Sequence, residues 1–191
     1  MSAKIAGLIL AAGKSRRMGE PKALLHLGGR PILDGLLEVY RASRLDPVIV
    51  VASGPALVAA AKHPGLVLVP GDPDAPMIDS IARGVAMIPA RHAAVVVQPV
   101  DAPFTVEEMI AALKMGDLSR SRALCHQGRA GHPVLVSRSA FPAIMERPAG
   151  GLRAILSQLE IELVEWPDPR ILADLDTPDD VARWRGSDHL H

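Results

Sequence analysis

Short apolar runs alternate with longer amphipathic stretches along most of the chain. Ile5–Leu10, Pro47–Ala52 (PVIVVA), Leu66–Val69, Ala93–Val97 (AAVVV) and Ser121–His126 read as strands. The first four are short, continuous and mostly β-branched or aliphatic, as strands covered on both faces tend to be. Between them lie helical stripes. Pro31–Arg41 brings Ile32, Leu33, Leu36, Leu37 and Tyr40 to one face, with Pro31 near its start. Ala56–Lys62, Met77–Met87 and Val106–Met115 read as further helices, and Pro70–Pro76 (PGDPDAP) is a loop by its turn residues. Further on, Gly150-Gly151-Leu152-Arg153 opens a helix, and Glu160–Trp166 alternates as a half-buried strand with Ile161, Leu163 and Trp166 inward. Strands alternating with helices predict βαβ units, hence an α/β fold on a largely parallel sheet.

The C-terminal stretch changes character. Ile171-Leu172-Ala173 leads into Asp174-Leu175-Asp176-Thr177-Pro178-Asp179-Asp180. Thr177 reads as an N-cap and Pro178 as the first helical residue, with Asp179 and Asp180 at the helix's positive end. In an extended segment Asp174 and Asp176 point the same way.

Composition narrows the options. A chain of 191 residues fits one α/β domain, and with 49% apolar but only 3% aromatic residues its core is aliphatic. We expect one domain over 1–186 and a flexible tail over 187–191. A formal net charge of zero argues against a general nucleic-acid binder. The charges are segregated, however: residues 1–30 hold six Lys/Arg against Glu20 alone, and residues 160–180 hold eight Asp/Glu against Arg170 alone. If the fold brings these ends together, phosphates and a divalent metal can share one cleft. Cys125 is the only cysteine, so there is no disulfide framework, and the seven histidines show no HxxxH spacing. No targeting run or membrane span is evident, so the expected location is cytoplasmic.

The candidate chemistry centres on Leu8–Leu33, LILAAGKSRRMGEPKALLHLGGRPIL. The first strand stops at Ala11, Ala12 and Gly13, which keep side-chain bulk away from backbone N–H groups that a ligand can approach. Lys14, Arg16, Arg17 and Lys22 follow. Small residues and fixed positive charge at the carboxyl end of a strand suit a polyphosphate. Gly13-Lys14-Ser15 is not a P-loop, because the position five residues before Gly13 is Leu8. GxGxxG is absent as well. Asp101 follows the Ala93–Val97 strand within Gln98-Pro99-Val100-Asp101-Ala102-Pro103, and prolines on both sides stiffen its backbone. Gly128-Arg129-Ala130-Gly131-His132-Pro133-Val134 offers glycines around Arg129 and before His132. These residues fit a ligand contact or a structural histidine ahead of a strand.

From Leu10 to Lys22 the chain matches LAAGxSxRMGxPK, the signature of nucleotidyltransferases, and within that superfamily it resembles the MobA-like NTP transferases. That resemblance implies a Rossmann-like three-layer sandwich of the nucleotide-diphospho-sugar transferase type, with a mostly parallel mixed sheet. It also implies transfer of a nucleotide to the phosphate of molybdopterin with release of pyrophosphate. By the same likeness Leu10, Ala11, Ala12 and Gly13 hold the nucleotide, and Arg17 neutralises the leaving phosphates. Lys22 reaches the phosphates near the reacting centre. Ser80 and, more weakly, Asp72 are expected at the base or ribose; either can instead be an ordinary helix-start residue. The P-x-D-x-P outline of Pro99, Asp101 and Pro103 puts Asp101 on magnesium. D-x-D-T-P-x-D matches the closing motif, whose first position favours Asp174 over Asp176 as the second metal ligand. Gly131 and His132 are expected beside the acceptor.

Nucleotide choice is divided. Leu10-Ala11-Ala12-Gly13 has the cytidylyltransferase form, whereas Pro99–Pro103 has the guanylyl outline, so CTP is favoured and GTP stays open. Molybdopterin is the favoured acceptor, and a molybdoenzyme recipient of the product stays open. The alternatives are transfer to a sugar or polyol phosphate, and a nucleotide-binding regulator or delivery protein without turnover.

Overall fold

The computed structural model describes residues 3–15 and 18–185. The expected tail over 187–191 therefore lies outside the described residues. In chain order the elements are β1 (Lys4–Ala11), the two-residue strands β2 (His26–Leu27) and β3 (Arg30–Pro31), α1 (Ile32–Ala42), β4 (Val48–Ala52), α2 (Gly54–Ala60), β5 (Leu66–Pro70) and α3 (Met77–Val85). They continue as β6 (His92–Pro99), α4 (Glu107–Lys114), β7 (Arg122–His126), β8 (Arg129–Ser137), α5 (Phe141–Met145), α6 (Gly151–Gln158), β9 (Glu162–Glu165) and α7 (Pro178–Arg185).

Seven strands form one mixed sheet in the order β5-β4-β1-β6-β8-β7-β9. All pairings are parallel except those of β8, which runs against both β6 and β7. The alternation of strands and helices predicts a largely parallel sheet, and the resemblance implies the mixed sheet seen here. Residues along β1 divide between its two faces, as the strand period requires. Ile5, Ile9 and Ala11 pack with α1, α2 and α4, while Ala6, Leu8 and Leu10 pack with α3, α5 and α6. With both faces covered by helices, the layers are three. Among the described residues, no helix is long and apolar enough to cross a membrane.

One close approach sets the position of α3. A Cβ on Gly84 would come within 2.3 Å of Leu8 Cδ1, so the helix lies directly on the central strand only because residue 84 has no side chain. That contact fixes the helix start, where Met77 and Ser80 face the carboxyl edge of the sheet.

The sequence pattern and the structure part in a few places. β8 begins at Arg129, so Gly131 and His132 lie within a strand rather than ahead of one. Gln127 (φ 51°) and Gly128 (φ 77°) form a tight two-residue turn, and His126 pairs with Arg129 across it. Two successive positive φ values match the twist of a hairpin and start the strand early. Leu163 points outward and is 45% exposed, against the expected inward setting. On edge strand β9, Val164 and then Trp166 pack on the core instead, and Glu162 meets Arg122 with its Oε1 2.6 Å from Nη2. Helix α5 and the β2–β3 hairpin had no sequence expectation.

Candidate active site

The carboxyl ends of β1, β5 and β6 open onto one cavity of about 370 Å³. Leu10, Ala11, Ala12, Gly13, Lys22, Asp72, Ser80 and Asp101 all line it. Residues separated widely in sequence thus meet where α/β sheets bind ligands, at the carboxyl edge beside the central strand. Arg17 lies outside the described residues. Gly131 and His132 stand in β8, off the cavity wall. Asp174 is off the wall too; Asp176 lines the cavity in its place.

The loop after β1 is held from several sides. Ala12 O accepts a hydrogen bond from Ser53 Oγ at the end of β4 (2.9 Å), and Leu10 O accepts one from Val100 N (3.0 Å). Ser15 has φ 48° and turns the loop back: its Oγ accepts from Lys22 N at 3.0 Å, and its carbonyl accepts from Met18 N at 2.9 Å. Ser15, which also lines the cavity, therefore organises the loop that carries Lys22. The only sequence signal for that role is its place in the signature. Lys14 pairs with Asp74, which joins this loop to the one after β5, where Asp72 Oδ1 accepts from Asp74 N at 2.8 Å.

The acidic C-terminal stretch does come to the basic loop. Lys22 is only 12% exposed at its side chain, and its Nζ lies 2.6 Å from Asp176 Oδ1 and 3.6 Å from Asp101 Oδ2. A backbone bond from Leu175 N to Asp101 O (2.7 Å) ties the two acidic segments together. Gly131 provides the room for this arrangement, since a Cβ there would come within 2.2 Å of Ile171 O. The turn before Asp174 can therefore lie on the start of β8. Beyond Asp176, Thr177 and Asp180 cap α7 reciprocally. Asp180 Oδ2 accepts from Thr177 N at 2.8 Å, and Asp180 N donates to Thr177 Oγ1 at 3.3 Å, as the Thr-Pro-Asp-Asp run predicts.

Electrostatics reflect the crowding of acids. The Asp174 carboxyl is held above the usual carboxylate range, first by partial burial and then by the charges of Asp101 and Asp176. The His132 imidazole is pushed down by burial, with the Asp101 charge acting the other way, and its Nδ1 is buried without a hydrogen-bond partner. Cys125 is buried and donates to Glu165 Oε2 at 3.0 Å; that contact raises the thiol's pKa, in keeping with an inert packing role.

Carboxylate oxygens gathered around an ammonium group are a hard, anionic donor set, which fits magnesium. Among the described residues, no three His, Cys, Asp or Glu side chains form a complete metal cage. Magnesium fits that arrangement as well, because it usually takes one or two carboxylates and completes its shell with water and substrate phosphates.

A three-layer α/β sandwich with a basic loop and convergent acids at one sheet edge defines a nucleotide-handling transferase. Residues 7–163 match the MobA-like NTP transferase domain, and the chain belongs to that family of nucleotidyltransferases. It is 33% identical over 142 residues to a 2-C-methyl-D-erythritol 4-phosphate cytidylyltransferase of Frankia casuarinae; the match covers 71% of this chain and 48% of that protein. It is 30% identical over 186 residues to a molybdenum cofactor guanylyltransferase of Rhodobacter capsulatus, covering 94% of each. The fold is shared with the crystal structure of Rv0371c from Mycobacterium tuberculosis, with a TM-score of 0.86, 24% identity, and coverage of 96% of this chain and 99% of that one.

Proposed function

We propose that this enzyme uses magnesium to move CMP from CTP to the phosphate of molybdopterin, releasing pyrophosphate. The observation that carries the proposal is the meeting of Lys22, Asp101 and Asp176 at the rim of a cavity floored by Leu10–Gly13. In the reaction an acceptor phosphate oxygen attacks the α-phosphorus. The bond from that phosphorus to the β-phosphate oxygen breaks, and pyrophosphate carries away the electron pair. The chain's contribution is to position the reactants and neutralise charge.

The backbone of Leu10–Gly13 would cradle the nucleotide, with Asp72 and Ser80 beside its base or ribose. Lys22 would exchange its carboxylate partners for phosphate oxygens, and Arg17 would neutralise the leaving phosphates. Asp101 and Asp174 are the proposed magnesium ligands, while Asp176 pairs with Lys22 at the cavity wall. Bound magnesium would offset charge on the triphosphate and polarise the α-phosphoryl group. Gly131 and His132 would flank the acceptor.

CTP is favoured by the second alanine of Leu10-Ala11-Ala12-Gly13. GTP is the second reading, favoured by relatives that are guanylyltransferases. A polyol phosphate acceptor has the support of a relative whose name specifies one. Pyrophosphate release, measured with each NTP in the presence of molybdopterin, a polyol phosphate or neither, separates these readings. We expect release with CTP, magnesium and molybdopterin together. Release with no combination would leave a nucleotide-binding protein without turnover.

A further inference from the structure

Gln98 is the next-to-last residue of strand β6, directly after the wholly apolar run from Ala94 to Val97, and it is 0% exposed. A buried amide must find partners for its donors and its acceptor. It finds them in the loop that carries Asp101. Its Nε2 donates to Pro99 O (3.4 Å) and, more closely, to Ala102 O, while its Oε1 accepts from Thr105 Oγ1 at 2.7 Å. The reverse amide orientation would set oxygen against two carbonyls and nitrogen against a hydroxyl, so the network itself assigns the nitrogen to the carbonyl side. Thr105 is also buried, at 7% exposure.

The loop needs such a device. Pro99 and Pro103 have no N–H, so the segment cannot pin itself through a full set of backbone bonds. Within the segment there are the turn bonds from Ala102 N to Pro99 O (3.2 Å) and from Thr105 N to Pro103 O (2.9 Å), and from outside it the bonds Val100 N to Leu10 O and Leu175 N to Asp101 O tie its first half to neighbouring backbone. Asp101 lies inside the first of these turns. Gln98 grips a carbonyl on each side of it, at Pro99 and at Ala102, and Thr105 holds the gripping amide in place.

We infer that Gln98 and Thr105 are positioning residues for the metal-binding carboxylate: their buried hydrogen bonds hold the Asp101 loop in the geometry that receives the divalent cation. This rests on the proposed role of Asp101. A loop stiffened in advance offers its carboxylate without first having to order it, and partners of this indirect kind commonly alter metal affinity by about tenfold to a hundredfold.

The test is titration of the nucleotide-free full chain with Mn²⁺ alone, following free ion by electron paramagnetic resonance, with thermal unfolding measured alongside. Thr105→Val removes the hydroxyl at nearly constant shape, and Thr105→Ser restores it. Gln98→Met removes the amide with similar bulk and serves if Thr105→Val fails to fold. Asp101→Asn reports on the metal site itself. We expect Asp101→Asn to weaken Mn²⁺ binding, Thr105→Val and Gln98→Met to weaken it about tenfold, and Thr105→Ser to bind near the wild-type level. If Asp101→Asn weakens binding but folded Thr105→Val and Gln98→Met bind as wild type does, the positioning role is overturned and the pair is only core structure. If Asp101→Asn leaves binding unchanged, or the wild type binds no Mn²⁺, the metal assignment fails first and the inference fails with it.

Discussion

Lys22 and Asp176 stand 154 positions apart in the chain, and their charged groups approach to 2.6 Å. The contact closes the site: it joins the basic loop after the first strand to the acidic segment before the last helix. Asp101 Oδ2 lies 3.6 Å from the same ammonium, so Lys22 stands beside both carboxylates. The ammonium offsets the charge of both acids.

Removing that ammonium separates catalysis from folding. Lys22→Ala should lower turnover by roughly two to three orders of magnitude, the scale of one lost transition-state contact. It also removes the ammonium beside Asp101 and Asp176, so magnesium should raise the melting temperature of the variant at least as much as that of the wild type. Near-normal turnover in a folded Lys22→Ala protein would remove this residue from the mechanism.

Asp101 and Asp174 should behave as a unit. Asp101→Asn and Asp174→Asn each remove a negative charge and should each raise the magnesium concentration needed for half-maximal rate. The double substitution should cost much less than the product of the single losses. The melting temperature of metal-free Asp174→Asn should hold or rise, because close like charges are relieved. Asp176→Asn belongs in the same series, since Asp176 and not Asp174 lines the cavity. Fully multiplicative losses, with magnesium dependence unchanged in Asp174→Asn, would assign that acid to the approach to α7 alone.

Acid should weaken the ion pair between Asp168 and Arg170. Asp168 is held below the usual carboxylate range, first by its hydrogen bond from Arg170, whose guanidinium also lies 5.7 Å from the centre of the Phe104 ring. A depressed folded-state pKa means that the unfolded chain takes up the proton more readily. The stabilisation is therefore present above the ordinary aspartate range and lost as pH falls through the folded value. Asp168→Asn should lower the melting temperature at neutral pH, and the gap to wild type should close in acid. A gap that is the same at all pH values would rule out the charge as its source.

The close seat of α3 on β1 should be intolerant of bulk. Gly84→Ala places a methyl against Leu8 and should destabilise by about 1–3 kcal/mol, the usual range for overpacking. Chemical denaturation would measure it. An unchanged midpoint would mean that the helix shifts freely and does not fix Ser80.

Much of this was legible in the chain itself. The β-branched runs marked the central strands, because a strand buried on both faces has no polar positions to confuse it. The segregated charges of residues 1–30 and 160–180 anticipated the meeting of Lys22 with Asp176, while Asp101 was marked by its place after a buried strand. Edge elements were harder to read. Leu163 turns outward because β9 is an edge strand whose inward face is shared by Glu162, Val164 and Trp166, with Glu162 paired to Arg122, so the alternation carries a charge on the covered side. The choice between Asp174 and Asp176 at the cavity wall depends on how the turn at 169–172 lies against Gly131, a tertiary contact without local signature. Gln98 and Thr105 escaped for a similar reason. A polar residue at the end of a strand usually signals solvent, and only the fold shows both buried.

The most direct measurement of the central claim is mass-spectrometric detection of the transfer product from wild-type protein, CTP, magnesium and molybdopterin, with Lys22→Ala and Asp101→Asn in parallel. The account predicts a molybdopterin adduct carrying one CMP, formed together with pyrophosphate and strongly reduced in both folded variants. Pyrophosphate-coupled product formed equally well by the variants, or no adduct from any NTP with the wild type, would contradict it.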